Sequence, residues 1–131
     1  MYFNGEEIKI KNIDATIFTK NKVGFRIYIF GEDEKEIEFC SNNEEIDPRT
    51  FNVNEKANII KNIYWDISLK TDESYYLFDI TKDSVYLTRL EDDKYRLEVN
   101  VVNPDMIYTP LGENVSFDSL VIDTTFTFDV E

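Results

Sequence analysis

Carboxylates are the only abundant reactive side chains in this sequence. The chain of 131 residues carries 27 Asp and Glu. A glycoside hydrolase needs two carboxylates about 5 to 10 Å apart in a cleft, but with so many acids some pair meets that distance by chance. Calcium fits an acidic turn better, and such turns occur at residues 32–34 (EDE) and 91–93 (EDD). Neither has the spacing of a calcium-binding loop, so we predict two solvated hairpin turns.

The remaining residue types exclude most catalytic chemistry. The chain contains no histidine, which removes Ser-His-Asp and Cys-His nucleophile activation, HExxH zinc sites and His-ligated iron. The four glycines form neither a phosphate-binding loop nor a dinucleotide-binding motif. We therefore predict a protein that is not an enzyme, with no catalytic, cofactor-binding or metal-binding residues.

The single cysteine, Cys40, is predicted to be an ordinary thiol at the end of a strand. It cannot form an internal disulfide. A reactive thiol needs a base or a positive environment. The neighbours Glu36, Glu38, Glu44 and Glu45 are instead expected to raise its pKa if they lie near it.

The charge of the chain points to a basic protein as its partner. The net charge is −13. It is uneven, with 12 acids and 9 bases in residues 1–62 but 15 acids and 5 bases in residues 63–131. Phosphate contacts require Lys and Arg, so nucleic acid and anionic membranes are not expected as partners. An acidic surface favours a basic protein through electrostatic steering, although high charge also serves solubility alone.

Localisation follows from what the termini and the cysteine count suggest. The N-terminal stretch has two acids within its first seven residues and no long apolar run, so no signal peptide is expected. A single cysteine suits a reducing compartment. We predict a cytoplasmic protein, and the abundance of Lys, Asn and Ile is typical of low-GC bacterial or phage genomes.

Alternating apolar residues predict an all-β fold of one domain over residues 1–131. The clearest run is residues 63–102, where strand-like segments are separated by turns of about four residues, which suits antiparallel hairpins. A last long strand is predicted for residues 120–130. About eight strands with short turns fit an antiparallel β-sandwich or a partly closed barrel.

Residues 47–62 are ambiguous. Asp47-Pro48 has the residue types of a helix cap and first turn, and Asn54 precedes another segment with helical character. The odd-numbered apolar residues between 51 and 63 are also compatible with a strand. We favour one or two short helices.

A candidate interaction surface follows from the parity of the strands. Trp65 shares the parity of the core residues, whereas several tyrosines fall on the opposite face beside acids, which is typical of protein interfaces. The candidate residues are Tyr64, Asp66, Tyr75, Tyr86, Asp92, Asp93, Asp123 and Asp129.

Three functions remain open at this point. The first is a non-catalytic acidic module that occludes or neutralises a basic partner, in the manner of immunity proteins or inhibitors that imitate nucleic-acid charge. The second is a structural or assembly subunit of a phage particle or another complex. The third is a small carboxylate-dependent enzyme or ligand-binding barrel, which predicts a deep pocket with two acids of perturbed pKa.

Overall fold

A computed structural model describes residues 1–32, 35–41, 45–59, 84–102 and 118–131, together with the backbone of residues 66–70, 75–79 and 106–108. In chain order the described strands are β1 (Tyr2–Phe3), β2 (Glu6–Glu7), β3 (Ile10–Phe18), β4 (Gly24–Gly31), β5 (Glu36–Cys40), β6 (Lys56–Asn58), β7 (Asp66–Lys70), β8 (Tyr75–Asp79), β9 (Val85–Arg89), β10 (Lys94–Val102), β11 (Met106–Tyr108), β12 (Ser119–Thr127) and β13 (Asp129–Val130). Eight of these strands have five residues or more, in agreement with the number predicted from the sequence.

The strands form two sheets that pack face to face. The six-stranded sheet has the order β2-β1-β12-β10-β9-β6, and the seven-stranded sheet has the order β11-β8-β7-β5-β4-β3-β13. The prediction of an all-β fold is confirmed, and of the two proposed architectures the structure is a sandwich. In the described part of the chain, no helix is long and apolar enough to cross a membrane.

The core lies between the sheets and takes residues from both. The largest fully buried side chains are Ile17, Phe25, Ile27, Ile29, Ile37, Phe39, Leu87 and Leu97. They come from alternate positions of their strands, as in β10, where buried and exposed or half-buried residues alternate from Lys94 to Val102. This alternation is the physical reason for the fold class, because only one face of each strand is apolar enough to leave water.

The chain begins with a tight hairpin that the sequence specifies directly. Asn4 and Gly5 both have positive φ, at 51° and 79°, and β1 pairs with β2 across them. Two positive φ angles suit the turns that match the twist of a two-residue hairpin, and Asn-Gly is the pair that tolerates them best. The Asn4 side chain also accepts hydrogen bonds from the backbone of Asp118 and Ser119, which fixes the hairpin to β12.

Residues 63–102 are divided between the two sheets, which corrects the expectation of a single run of hairpins. β7 pairs with β8 in the seven-stranded sheet, whereas β9 pairs with β10 in the six-stranded sheet. The connection from β8 to β9 therefore leads from one sheet to the other. Local periodicity fixes which face of a strand is apolar but carries no information on which sheet a strand joins.

The region 47–62 contains one of the two predicted helical turns. Pro48–Thr50 form a single 3-10 turn, and the Asp47 side chain accepts a hydrogen bond from the Arg49 backbone N–H as an N-cap. The second helix is wrong. Asn54 has a φ of 63° and Lys56–Asn58 form β6, paired with β9, because pairing at a sheet edge outweighs the weak helical propensity of a short segment.

The last predicted strand is two strands. β12 lies inside the six-stranded sheet between β1 and β10, as expected. After Phe128 the chain joins the seven-stranded sheet, where β13 pairs in parallel with β3 at the edge. The backbone N–H of Glu131 donates to the Ile17 carbonyl at 2.9 Å, and Phe128 packs edge to face on Phe25 and Tyr95.

Candidate interaction surfaces

The structure distributes the eight predicted surface residues over both sheets. Tyr86 and Asp123 lie on the outer face of the six-stranded sheet, and Asp92 and Asp93 lie in the turn between β9 and β10. Asp129 belongs to β13, at the edge of the seven-stranded sheet.

The three remaining candidates lie in or beside the part of the chain described least. Asp66 and Tyr75 belong to β7 and β8 of the seven-stranded sheet, with only their backbone described. Tyr64, like Trp65, lies outside the described residues. The eight residues therefore do not share one face, because the chain changes sheets between Asp79 and Val85.

On the six-stranded sheet, Asp123 is already paired within the chain. Both of its carboxylate oxygens accept hydrogen bonds from Arg96, at 2.9 Å from Nε and 2.7 Å from Nη2. This hydrogen bonding lowers the pKa of Asp123 below its usual 3.8 and raises the pKa of Arg96. Asp123 therefore does not present an unpaired charge to a partner, as the sequence-based interpretation assumed.

Two bases close to Asp123, Arg96 and Lys56, also form ion pairs with Glu98. Glu98 lies directly opposite Asp123 in the backbone register, where two like charges repel. Arg96 Nε is 3.8 Å from one Glu98 oxygen, and Lys56 Nζ is 3.5 Å from the other. Lys56 also lies over the Tyr86 ring, 4.6 Å from its centroid. This cluster borders a depression of about 320 Å³ that is also lined by Ser84, Asn100 and Val121.

The turn between β9 and β10 is built from its three acids. Glu91–Asp93 form a 3-10 turn in which Asp92 and Asp93 have φ of 61° and 57°. Asp93 accepts a hydrogen bond from Arg89 at 3.1 Å. Among the described residues, no group of three His, Cys, Asp or Glu side chains is placed to hold a metal ion. Of the other acidic turn, residues 33 and 34 lie outside the described residues.

The outer face of the seven-stranded sheet carries a second cluster of aromatic and acidic residues. Tyr28 on β4 lies opposite Glu38 on β5, and Phe30 lies opposite Glu36. The Tyr28 and Phe30 rings stack with centroids 4.9 Å apart. All four side chains are half-buried. We name these four residues the β4–β5 cluster.

The acids of the β4–β5 cluster act on the Tyr28 phenol. Burial, the charges of Glu36 and Glu38, and a hydrogen bond to Glu36 raise the pKa of Tyr28 above 10.0. Asp14 on β3 lies opposite Tyr28 on its other side and is exposed. Tyr28 is therefore an aromatic side chain with carboxylates on both neighbouring strands.

Sequence reasoning missed this cluster, although its signal is present. In the sequence, Glu36 and Glu38 drew attention only as neighbours of Cys40. The strand EIEFC places both glutamates on one face, and pairing with β4 then brings them beside Tyr28 and Phe30. The hairpin turn predicted at residues 32–34 implies that the flanking strands pair, but the register that sets Tyr28 opposite Glu38 could not be read from the sequence.

Cys40 continues the same face and behaves as predicted. It is half-buried on β5, and burial together with the charge of Glu38 raises the pKa of its thiol above 9.0. It borders a depression of about 460 Å³ that Phe18, Lys20 and Lys22 also line. The Arg26 guanidinium lies over the Phe18 ring, 5.7 Å from its centroid.

Comparisons with protein families, with curated proteins and with solved structures found no match to this chain. Support for a function therefore comes from the chemistry of the two outer faces.

Proposed function

We propose that this protein is a non-catalytic binding module that occludes a basic protein, and that the β4–β5 cluster is the centre of its binding surface. The observation that supports this proposal best is the stacked Tyr28–Phe30 pair on an outer face, flanked by Glu36 and Glu38. Half-exposed aromatic rings supply contact area with few rotatable bonds, and tyrosine is enriched among residues that dominate binding energy. Carboxylates beside the rings select Lys and Arg on the partner.

The net charge supports the same kind of partner at longer range. A charge of −13 attracts a basic protein and raises the association rate at low salt. The charge alone gives no location, because it is spread over the chain. The β4–β5 cluster combines acids with aromatic surface, and this combination supplies both specificity and area.

The outer face of the six-stranded sheet places its acids beside bases, whereas the acids of the β4–β5 cluster lie beside stacked aromatic rings. On the six-stranded sheet, Glu98 and Asp123 interact with Lys56 and Arg96. A cationic partner would have to displace these bases before it met either carboxylate.

The direction of the pKa shifts of Asp47 and Asp123 favours binding over acid–base catalysis. The pKa values of Asp47 and Asp123 are both lowered by hydrogen bonds from arginine. A general acid needs a carboxyl group whose pKa is raised. These two carboxylates are therefore ionised at neutral pH.

A matched pair of double variants tests the proposed surface. An arginine-rich peptide is titrated calorimetrically into the protein, into Glu36→Gln/Glu38→Gln, and into Glu91→Gln/Asp92→Asn. Both variants remove two negative charges, but only the first changes the β4–β5 cluster. We expect the first to weaken binding about tenfold or more, and the second about twofold.

A separate substitution tests whether the aromatic rings of the surface contribute to binding. Tyr28→Ala should weaken binding by about tenfold, because it removes the stacked ring. Equal losses from the two charge variants would show that the peptide responds to net charge alone, and the proposed surface would be wrong. Binding that strengthens as salt is added would contradict the electrostatic basis of the proposal.

A further inference from the structure

The described part of the outer face of the six-stranded sheet has no net charge, although the chain carries −13. Its described outward positions hold three bases and three acids. These residues are Lys56, Lys94, Arg96, Glu7, Glu98 and Asp123. Two copies of a strongly anionic protein repel each other, and the repulsion is least where the opposed surfaces are neutral.

The charges on this face are arranged in rows across the strands. Lys56 and Arg96 share one row through Thr88, which pairs with both. Glu98 and Asp123 form the next row. A basic row therefore lies beside an acidic row on the same surface.

The same face exposes apolar side chains. Tyr2 and Val121 occupy paired positions on β1 and β12 and are 47% and 39% exposed. Val102, at the end of β10, is 65% exposed. Apolar residues beside a balanced set of charges are typical of surfaces that bind other proteins.

We propose that a second copy of this chain docks on this face, forming a two-fold symmetric dimer. In such a dimer the same surface is used by both copies. A two-fold axis that runs across the strands, between the basic and the acidic row, places Arg96 of one copy over Glu98 of the other, while each Arg96 keeps its hydrogen bonds to Asp123 of its own chain. An axis along the strands would oppose like charges and is therefore not expected.

This axis also determines which residues of the other copy lie opposite Val121. It brings the row of Asn100 and Val121 opposite the row of Lys94 and Thr127. Thr127 of the other copy then lies over Val121, and the aliphatic part of Lys94 lies beside it on the neighbouring strand, while the Lys94 ammonium group reaches water at the rim.

The small area of the face limits the affinity of the dimer. β10 and β12 contribute nine residues each, and with the shorter strands the face covers roughly 500 Å² at about 3.3 Å per residue and 4.8 Å between strands. Two copies bury about 1,000 Å² together, near the lower limit of specific interfaces. The dimer should therefore be weak and depend on protein concentration.

Sedimentation equilibrium of the whole chain tests the dimer with two matched variants, Val121→Lys and Val130→Lys. Each replaces an exposed strand valine by lysine and makes the net charge less negative, so neither adds general repulsion. Val121→Lys removes apolar contact and places a positive charge opposite Thr127 and beside Lys94 of the other copy. We expect it to raise the dimer dissociation constant about tenfold or more, whereas Val130→Lys should change it by less than about threefold.

Three results would overturn the proposal. A protein that stays monomeric up to about 1 mM, a concentration at which even millimolar affinity is detectable, forms no such dimer. Equal effects of the two variants would show that association does not use this face. A dimer that Val121→Lys leaves intact would have to use a strand edge or the β4–β5 cluster.

The dimer and the proposed function can fail independently. Screening by salt reduces repulsion between the two anionic copies, so the dimer should persist or strengthen when salt rises from about 0.05 M to about 0.5 M. Binding of the arginine-rich peptide should weaken over the same range. Val121→Lys should leave peptide binding unchanged, because Val121 is on the opposite sheet from the β4–β5 cluster.

Discussion

Glu98 and Asp123 lie directly opposite each other on β10 and β12, and Arg96 bridges the two carboxylates. Arg96 makes two hydrogen bonds to Asp123 and approaches Glu98 at 3.8 Å. A cross-strand pair of like charges is destabilising by itself. The Arg96 guanidinium offsets this repulsion, so the position belongs to a face on which charges balance. The proposed dimer depends on that balance.

Arg96→Gln should make the protein less stable at neutral pH, and its stability should then depend less on acid than that of the parent protein. The pKa of Asp123 is below 3.8 in the folded chain, chiefly because of its hydrogen bonds from Arg96. A lowered folded-state pKa gives stabilisation that is present above pH 3.8 and is lost as the pH falls through the folded pKa. Without Arg96, the opposed acids should favour protonation, so the pKa of Asp123 should rise.

Urea unfolding at several pH values and an NMR titration of the Asp123 carboxyl measure these effects. The double variant Arg96→Gln/Asp123→Asn is the control, since it removes the bridging base together with one of the opposed acids. It should be more stable at neutral pH than Arg96→Gln alone. If the single variant left the pKa of Asp123 unchanged, the bridge would have no electrostatic role.

Tyr28 should ionise at a higher pH than an exposed tyrosine. Burial and the charges of Glu36 and Glu38 raise its pKa above 10.0. Because the folded-state pKa is raised, the associated stabilisation is fully present below pH 10 and is lost as the pH rises through the folded value. The difference in phenolate absorbance between the protein and Tyr28→Phe isolates this titration.

Glu36→Gln should lower the pKa of Tyr28 by removing a charge and weakening a hydrogen bond. Glu91→Gln removes one negative charge from the distant turn between β9 and β10, and should leave the pKa of Tyr28 unchanged. An unchanged pKa in Glu36→Gln would contradict the contact between Tyr28 and Glu36.

Cys40 should react slowly with thiol reagents in the folded protein. Burial and Glu38 raise its pKa above 9.0, and only the thiolate is nucleophilic. The rate of alkylation at mildly alkaline pH should be about tenfold or more below that of the urea-unfolded chain. Glu38→Gln should accelerate alkylation, whereas Glu55→Gln should not. A folded protein that reacts as fast as the unfolded chain would show that Cys40 is neither buried nor near Glu38.

Ser41 should contribute measurably to stability through the backbone of β4. Its hydroxyl accepts a hydrogen bond from the Phe25 N–H at 2.8 Å and donates to the Phe25 carbonyl at 3.3 Å. Ser41→Ala leaves this buried N–H without its acceptor, and should lower the free energy of unfolding by about 1–3 kcal/mol. Thr127→Ala, at an exposed position of β12, should change it by less than about 0.5 kcal/mol.

Gly24→Ala tests the same contact from the other side. A Cβ at Gly24 would lie 2.8 Å from Ser41 Oγ, so the hydroxyl must move. The destabilisation by Gly24→Ala, measured by urea unfolding, should be smaller when Ser41 is already alanine. Additive effects of the two substitutions would show that the hydroxyl does not restrict Gly24.

The pattern of this sequence determined the fold class and the buried face of its long strands. Alternation in residues 94–102 and 119–126 places Leu97, Val99, Leu120 and Ile122 in the core, because side chains in a strand point to opposite faces in turn. The Asn4-Gly5 turn and the Asp47-Pro48 cap were also readable, since each depends on the backbone preferences of one or two residues. Of the four acids near Cys40 in sequence, Glu38 contributes to its raised pKa, whereas the larger cause, burial, depends on the fold.

Only the tertiary structure decided the register between paired strands and which strands distant in sequence lie side by side. Pairing of β4 with β5 brings Tyr28 to Glu38, and pairing of β10 with β12 brings Arg96 to Asp123, over 9 and 26 intervening residues. The crossings from β8 to β9 and from β12 to β13 separate residues that a local pattern had assigned to one surface. Parity along a strand is a local property, whereas the neighbour of a strand is set by the packing of the whole chain. The paired Asp123 and the acid-flanked Tyr28 could therefore be distinguished only in the folded protein.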